Sequence, residues 1–220
     1  MITGGAQARA RPAAARRRPP RRPSRATARR RRLLAALVAI AVTVGIVLAA
    51  MGPVQRGIRE IVLPLQHEDI IRQQAAEKHL DPALIAAVIF QESKFEDRTS
   101  ATGAKGLMQI QPDTARFIAR KSGGTRFQLR DLATPQINIA YGSWYLRYLI
   151  DRYSGNQTLA IAAYNAGSKN VDRWVHGAGG PDSFDPSRDI PFAETRAYLS
   201  SVLRHEGEYR HRYGHELGLN

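Results

Sequence analysis

The chain has 220 residues, 43% of them hydrophobic, and no cysteine. That suits one domain able to bury a core and excludes a disulfide framework or a thiol nucleophile. Its net charge of +14 sits mostly at one end: residues 1–32 hold twelve arginines and no acid, and without them 21 basic residues face 19 acidic ones. The remainder is nearly balanced, so the high isoelectric point belongs to a tail and not to a nucleic-acid-binding face of a domain.

Residues 1–32 are mainly Arg, Pro and Ala. Such a segment buries too little apolar surface to offset its ordering entropy, so a disordered tail is expected. It carries no aromatic residue for base stacking, and no nucleic-acid partner is expected. Residues 33–51, LLAALVAIAVTVGIVLAAM, are uncharged. As a helix they would span roughly 28 Å, close to the hydrocarbon thickness of a bilayer. The arginines before them predict a cytoplasmic N-terminus and a single-pass anchor, with the rest of the chain extracytoplasmic. A cleaved signal peptide is the alternative, since Val47 and Ala49 resemble a small-residue cleavage site and cleavage would leave the domain secreted. Residues 52–66, with Pro53 and Pro64, read as a linker reaching at most about 50 Å.

Residues 67–220 read as helices throughout. Ile70, Ile71, Ala75 and Ala76 have helical spacing between Glu68 and His79. Asp81-Pro82 is an N-cap followed by proline at the first helical position, which predicts a helix from Pro82 to about Ser93. Pro112 opens another, ending near Gly123-Gly124. Pro135 to Tyr153 is long and amphipathic, with Ile139, Trp144, Leu146 and Leu149 as expected core. Gln157 to Ala166 follows, and a helix from Phe192 to about Tyr209 closes the domain. Strand-like alternation is scarce, so the expected class is all-α, in one domain. The loop from Gly177 to Ser187 has no assigned shape.

Three stretches are candidates for chemistry. Glu92 directly follows the apolar run Ala87-Val88-Ile89-Phe90. A glycosidic oxygen leaves only when protonated, and a carboxyl beside an apolar wall keeps its proton at neutral pH. The competing reading is a solvated glutamate near a helix end. Glu96 and Asp97 are possible second carboxylates; Glu96 would share the face of Glu92 only if the helix continued. Ser100, in a run of turn formers that ends at Gly106, reads by itself as a turn serine. Tyr164 places a phenol on an otherwise apolar helix, and Asn165 beside it is a possible C-cap before Gly167. Glu194 reads by itself as a first-turn glutamate favoured by the helix dipole, and Tyr198 lies one turn later on its face. His211 and His215 have i, i+4 spacing but no third ligand is evident, so no metal site is expected.

Glu92-Ser93, Gly106-Leu107-Met108-Gln109, Asn138-Ile139, Ala163-Tyr164-Asn165-Ala166-Gly167 and the Pro191–Tyr198 stretch occur in the order and at the spacing of one family. From about Glu68 to Tyr209 the chain resembles the soluble-lytic-transglycosylase-like domains, goose-type-lysozyme-like enzymes acting on bacterial peptidoglycan. The resemblance implies a lysozyme-like single helical catalytic domain that needs no cofactor. Glu92 would act alone as acid and then base, cleaving the MurNAc–GlcNAc β-1,4 bond and leaving a 1,6-anhydro end. It also implies that Ser100, Met108, Gln109, Tyr164, Asn165 and Glu194 contact or support the glycan, with core filling as the alternative for Met108. A lysozyme-type hydrolase and a non-catalytic peptidoglycan-binding module are the other functions compatible with these residues.

Overall fold

In a computed structural model, residues 42–45 and 63–219 are described. The chain divides into two units, Met1–Val54 and Gln55–Asn220. In the first, residues 42–45 are exposed α-helix. The tail expected at 1–32, the rest of the span expected at 33–51 and most of the linker expected at 52–66 lie outside the described residues. Among the described residues no helix is long and apolar enough to cross a membrane.

The described part of the second unit is helical, as its sequence pattern predicts: α1 (Glu68–Lys78), α2 (Pro82–Ser93), α3 (Pro112–Ser122), α4 (Pro135–Arg152), α5 (Gln157–Ala166), α6 (Ser168–Gly177), α7 (Pro186–Asp189) and α8 (Ala193–Tyr213). Short 3₁₀ turns lie at Leu129–Ala133 and Pro181–Ser183. The described residues contain no strand, only bridges from Lys105 to Thr99 and to Ile110. Helix α6 is absent from the sequence expectation, and α8 runs a turn further than its pattern suggested. His211 lies in the last turn of α8 and His215 beyond its end.

Helix α2 is the centre of the core. Every residue from Pro82 to Phe90 is buried, as a helix apolar on all sides must be. Its start is built as the Asp-Pro pair dictates: the Asp81 side chain accepts from the Ala83 N–H at 2.7 Å, and Pro82 has no N–H to leave unpaired. Arg210 of α8 also pairs with Asp81. The helix stops because Lys94 and Phe95 both turn left-handed, at φ 59° and 66°.

Helix α8 lies along α2. Tyr198, Val202, His205, Tyr209 and Tyr213 recur every three or four residues on its buried face. The Phe90 ring meets His205 edge-on at 4.7 Å and Tyr209 at 6.1 Å. The hydroxyls of Tyr209 and Tyr213 donate to the Pro64 and Leu63 carbonyls at 2.5 and 2.8 Å, fastening the segment before α1. On α1, Ile71 and Ala75 are buried while Ala76 is exposed. On α4, Ile139, Leu146 and Leu149 are core as expected. Trp144 is only half-buried, stacked on Tyr148 at 5.6 Å.

Candidate active site

Glu92 occupies the last turn of α2, just beyond its buried stretch. The residue keeps some solvent contact, but its carboxyl is closely surrounded by protein. Burial pushes that carboxyl up to about 7, against the opposing pull of the Tyr198 hydrogen bond and the Arg98 charge. A helix C-terminus also disfavours a negative charge. A carboxyl balanced near neutrality can both give and accept a proton at physiological pH.

Two phenols flank it. The Tyr198 hydroxyl, from the first turns of α8, donates to Glu92 Oε1 at 2.7 Å. The Tyr164 hydroxyl, from the end of α5, donates to the Met108 carbonyl at 3.0 Å. Burial first, and then the Glu92 charge, hold both phenols far above their ordinary range, so both remain donors. The Tyr145 ring of α4 lies 5.6 Å from that of Tyr164 and extends this aromatic wall.

The loop between α2 and α3 is shaped by its own polar groups. Arg98 donates to the Glu92 carbonyl at 2.5 Å. The Arg98 carbonyl in turn accepts from the Gly106 N–H and the Gln109 side-chain amide, each at 2.9 Å. Ser100 Oγ accepts from the Ala104 N–H at 3.0 Å and pairs with Thr102 Oγ1 at 2.9 Å, closing the tight turn that ends at Gly103. Asn138 of α4 is buried beneath this loop. It accepts from the Met108 N–H at 2.8 Å and donates to the Lys105 and Leu132 carbonyls, each at 2.9 Å. Gly106 passes so close that a Cβ there would lie 2.1 Å from Asn138 Nδ2.

The expected site residues therefore divide. Glu92, Gln109 and Tyr164 are drawn together by Arg98, whose guanidinium meets the Glu92 carbonyl while its own carbonyl accepts from Gln109, and by the Met108 carbonyl, which accepts from Tyr164. The expectation that the Met108 side chain faces a cleft is corrected: it is fully buried, fitted against Gly142, where an added Cβ would lie 2.2 Å from Sδ. Met108 reaches the site through its carbonyl. The nitrogen of the Gln109 amide is committed to the Arg98 and Gly106 carbonyls, at 2.9 and 2.8 Å, which leaves the amide oxygen as its free group. Asn165 is not the C-cap of α5, a position taken by Gly167. Its Oδ1 accepts from Thr195 Oγ1 at 2.8 Å and ties the end of α5 to the start of α8. Glu194 is exposed in the first turn of α8 and forms no hydrogen bond or ion pair among the described residues. Glu96 and Asp97 are exposed beyond the left-handed pair that ends α2, so Glu96 does not continue the Glu92 face.

Sequence reasoning missed the roles of Arg98, Asn138, Thr195 and Tyr198. The spacing of Tyr198 with Val202 and His205 places it on a core face, and nothing local to it indicates a carboxyl partner. Among the described residues no group of three His, Asp or Glu side chains is arranged to hold a metal.

The transglycosylase SLT domain model matches residues 69–185, which include Glu92, Gln109 and Tyr164 and end before Glu194 and Tyr198. The soluble lytic murein transglycosylase of Salmonella typhimurium is 34% identical over 164 residues, covering 71% of this chain and 25% of that one. The 70 kDa soluble lytic transglycosylase of Escherichia coli superposes with a TM-score of 0.66 at 32% identity, over 70% of this chain and 26% of that one. An inactive Glu-to-Gln variant of the lytic transglycosylase Slt of Pseudomonas aeruginosa superposes with a TM-score of 0.64 at 33% identity, over 71% of this chain and 26% of the other. The chain thus spans about a quarter of the length of these curated relatives.

Proposed function

The chain belongs to the transglycosylase SLT domain family, and from that premise we propose that it is a peptidoglycan lytic transglycosylase. The observation that carries this reading is the Glu92 carboxyl, raised to about 7 by burial and oriented by Tyr198 at 2.7 Å. In the first step Glu92 gives its proton to the oxygen of the MurNAc–GlcNAc β-1,4 bond as the bond to C1 breaks. In the second step the Glu92 carboxylate takes the proton of the MurNAc C6 hydroxyl. O6 then bonds to C1, closes a 1,6-anhydro ring and restores the acid without consuming water.

Ordinary glycosidases place two carboxylates around the bond. Here Glu92 works alone. The groups that perturb it are Tyr198 and Arg98, neither of them a carboxylate, and Glu96 and Asp97 are exposed past the end of α2. Tyr164, the Gln109 amide oxygen and Glu194 contact the glycan, while Ser100, Asn165 and the Met108 backbone hold the walls. Residues 33–51 anchor the domain outside the cytoplasmic membrane, a reading supported by their lack of charge and by the arginines before them.

Purified cell-wall sacculi digested with wild type and Glu92→Gln test the chemistry. Wild type yields anhydro-muropeptides by mass spectrometry and the variant does not. Reducing ends would replace this reading with hydrolysis, and equal turnover by the variant would remove Glu92 from the reaction. Alkaline extraction of membranes tests the anchor: the chain stays in the pellet, and loses that property when residues 33–51 are deleted.

A further inference from the structure

His205 lies on the buried face of α8, two turns beyond Tyr198, and is only 8% exposed. Its ring meets that of Phe90, two residues before Glu92, edge-on at 4.7 Å. Arg204 Nη2 stands 3.3 Å from its Nε2. A guanidinium only donates, so Nε2 accepts and the proton of the neutral ring sits on Nδ1. Nδ1 is buried and has no partner among the described residues. An unpaired buried donor is costly, so this ring is held in place by Phe90 and Arg204 and not by a bond of its own.

The surroundings of the ring are cationic. Lys94, which ends α2, holds its ammonium 3.9 Å from the centre of the Phe90 ring. Burial first, and then the charges of Arg98 and Arg204, lower the affinity of Lys94 for its proton. Burial, then the Arg204 charge, hold the His205 ring below its ordinary range; Lys94 acts in the same direction and Glu208 of α8 opposes them. Burial keeps the phenol of Tyr209, the other α8 ring on Phe90, far above its ordinary range and therefore neutral. Arg98 in turn donates to the Glu92 carbonyl. A second proton on His205 would act twice. Nε2 would stop accepting from Arg204, and a fourth positive charge would join Lys94, Arg98 and Arg204. Moving α8 away from Phe90 relieves both. Tyr198 shares the buried face of α8 with His205, so that movement lengthens the bond that orients Glu92.

We infer that His205 is a positioning residue for Glu92 that works only as the neutral ring, so that its protonation switches the enzyme off in acid. The inference rests on the lytic-transglycosylase reading of the Glu92 site. In that reading the free enzyme needs one proton, on Glu92, and the reaction itself gives kcat/KM no acid limb. An acid limb then reports a second group, and the geometry assigns it to His205.

The test compares the wild-type full chain in detergent micelles with His205→Gln, whose amide oxygen can accept from Arg204 but takes up no proton. Cleavage of a soluble glycan fragment is followed from acid to neutral pH, with circular dichroism at each point. Wild-type kcat/KM should fall about tenfold for each pH unit below the titration midpoint of the His205 ring, read from its carbon NMR signal. His205→Gln should keep most of the wild-type activity at neutral pH and lose that fall. Lys94→Gln, at an exposed position, covers the case in which His205→Gln does not fold: with one cation fewer near the ring, the acid limb should move to higher pH. A wild-type profile without an acid limb overturns the inference. So does a limb that survives in His205→Gln, that stays in place in Lys94→Gln, that departs from the titration of the ring, or that tracks loss of helical signal. Each of these results leaves the anhydro product and Glu92 in place. Failure of the transglycosylase reading looks different, with no anhydro product at any pH. The Glu92 carboxyl carbon signal then still tests the link: wild type should show a second inflection at the His205 midpoint that His205→Gln lacks, and its absence overturns the inference.

Discussion

The Tyr198 hydroxyl donates to Glu92 Oε1 across 2.7 Å, joining residues 106 positions apart in the chain. The bond favours the ionised carboxylate, whereas burial favours the acid, and burial is the larger effect. Tyr198 therefore orients Glu92 and limits how far its affinity for a proton rises.

Tyr198→Phe removes the one effect and leaves the other. The Glu92 carboxyl should rise further above 7, by about one unit, which corresponds to about 1.4 kcal/mol. As the acid form is needed to break the bond, the alkaline limb of kcat/KM should move to higher pH. A limb that stays in place or moves down would remove the orienting role of Tyr198.

Burial of Glu92 has a cost that depends on pH. Its folded value of about 7 lies above its ordinary 4.5. Between these values the unfolded chain has released the proton that the folded chain still holds, so stability falls as pH rises through that window. Glu92→Gln should therefore be more stable than wild type at pH 8, by on the order of 2–3 kcal/mol relative to the difference at pH 4. Urea denaturation at both pH values measures this, and an equal difference at the two would contradict it.

Gly142 marks a second tight approach under the loop, besides that of Gly106 to Asn138. A Cβ there would lie 2.2 Å from Met108 Sδ, so Gly142→Ala should cost about 1–3 kcal/mol through overpacking. Met108→Ala opens that space, so the double variant should be less destabilised than the two single costs combined, by at least about 0.5 kcal/mol. Strict additivity in chemical denaturation would mean that the two side chains do not compete for one volume.

Thr195 links the two helices that carry the phenols. Thr195→Val leaves Asn165 Oδ1 without its 2.8 Å donor and should cost about 1 kcal/mol, or roughly 2–4 °C in Tm. Turnover of sacculi should fall with it, and Thr195→Ser should restore both. If Thr195→Ser behaved like Thr195→Val, the hydroxyl would not be the cause.

The helices were legible from sequence because their signals are local. Asp81-Pro82 starts α2, an unbroken apolar run forces it to the centre, and Pro112 and Pro135 stand at the start of two more helices. Helix α6 escaped because its buried side consists of Val171 and Trp174 among polar residues, too sparse a stripe to read. Glu92 was legible as an acid beside an apolar wall, and Tyr164 as a phenol on an apolar helix.

The sequence by itself determined that Glu92 directly follows an apolar helical run and where most of the helices lie, since both follow from neighbours within a turn or two. Tertiary structure alone decided what surrounds that acid. The Tyr198 bond, the Asn138 clamp under Met108 and the Asn165–Thr195 tie join residues 30 or more positions apart. It also decided that Met108 faces inward, against Gly142, and that Glu96 faces outward, because the backbone at Lys94 and Phe95 turns left-handed where the helical pattern alone would allow another turn. A carboxyl's affinity for its proton depends on everything packed around it, and that packing exists only once α2, α5 and α8 have met.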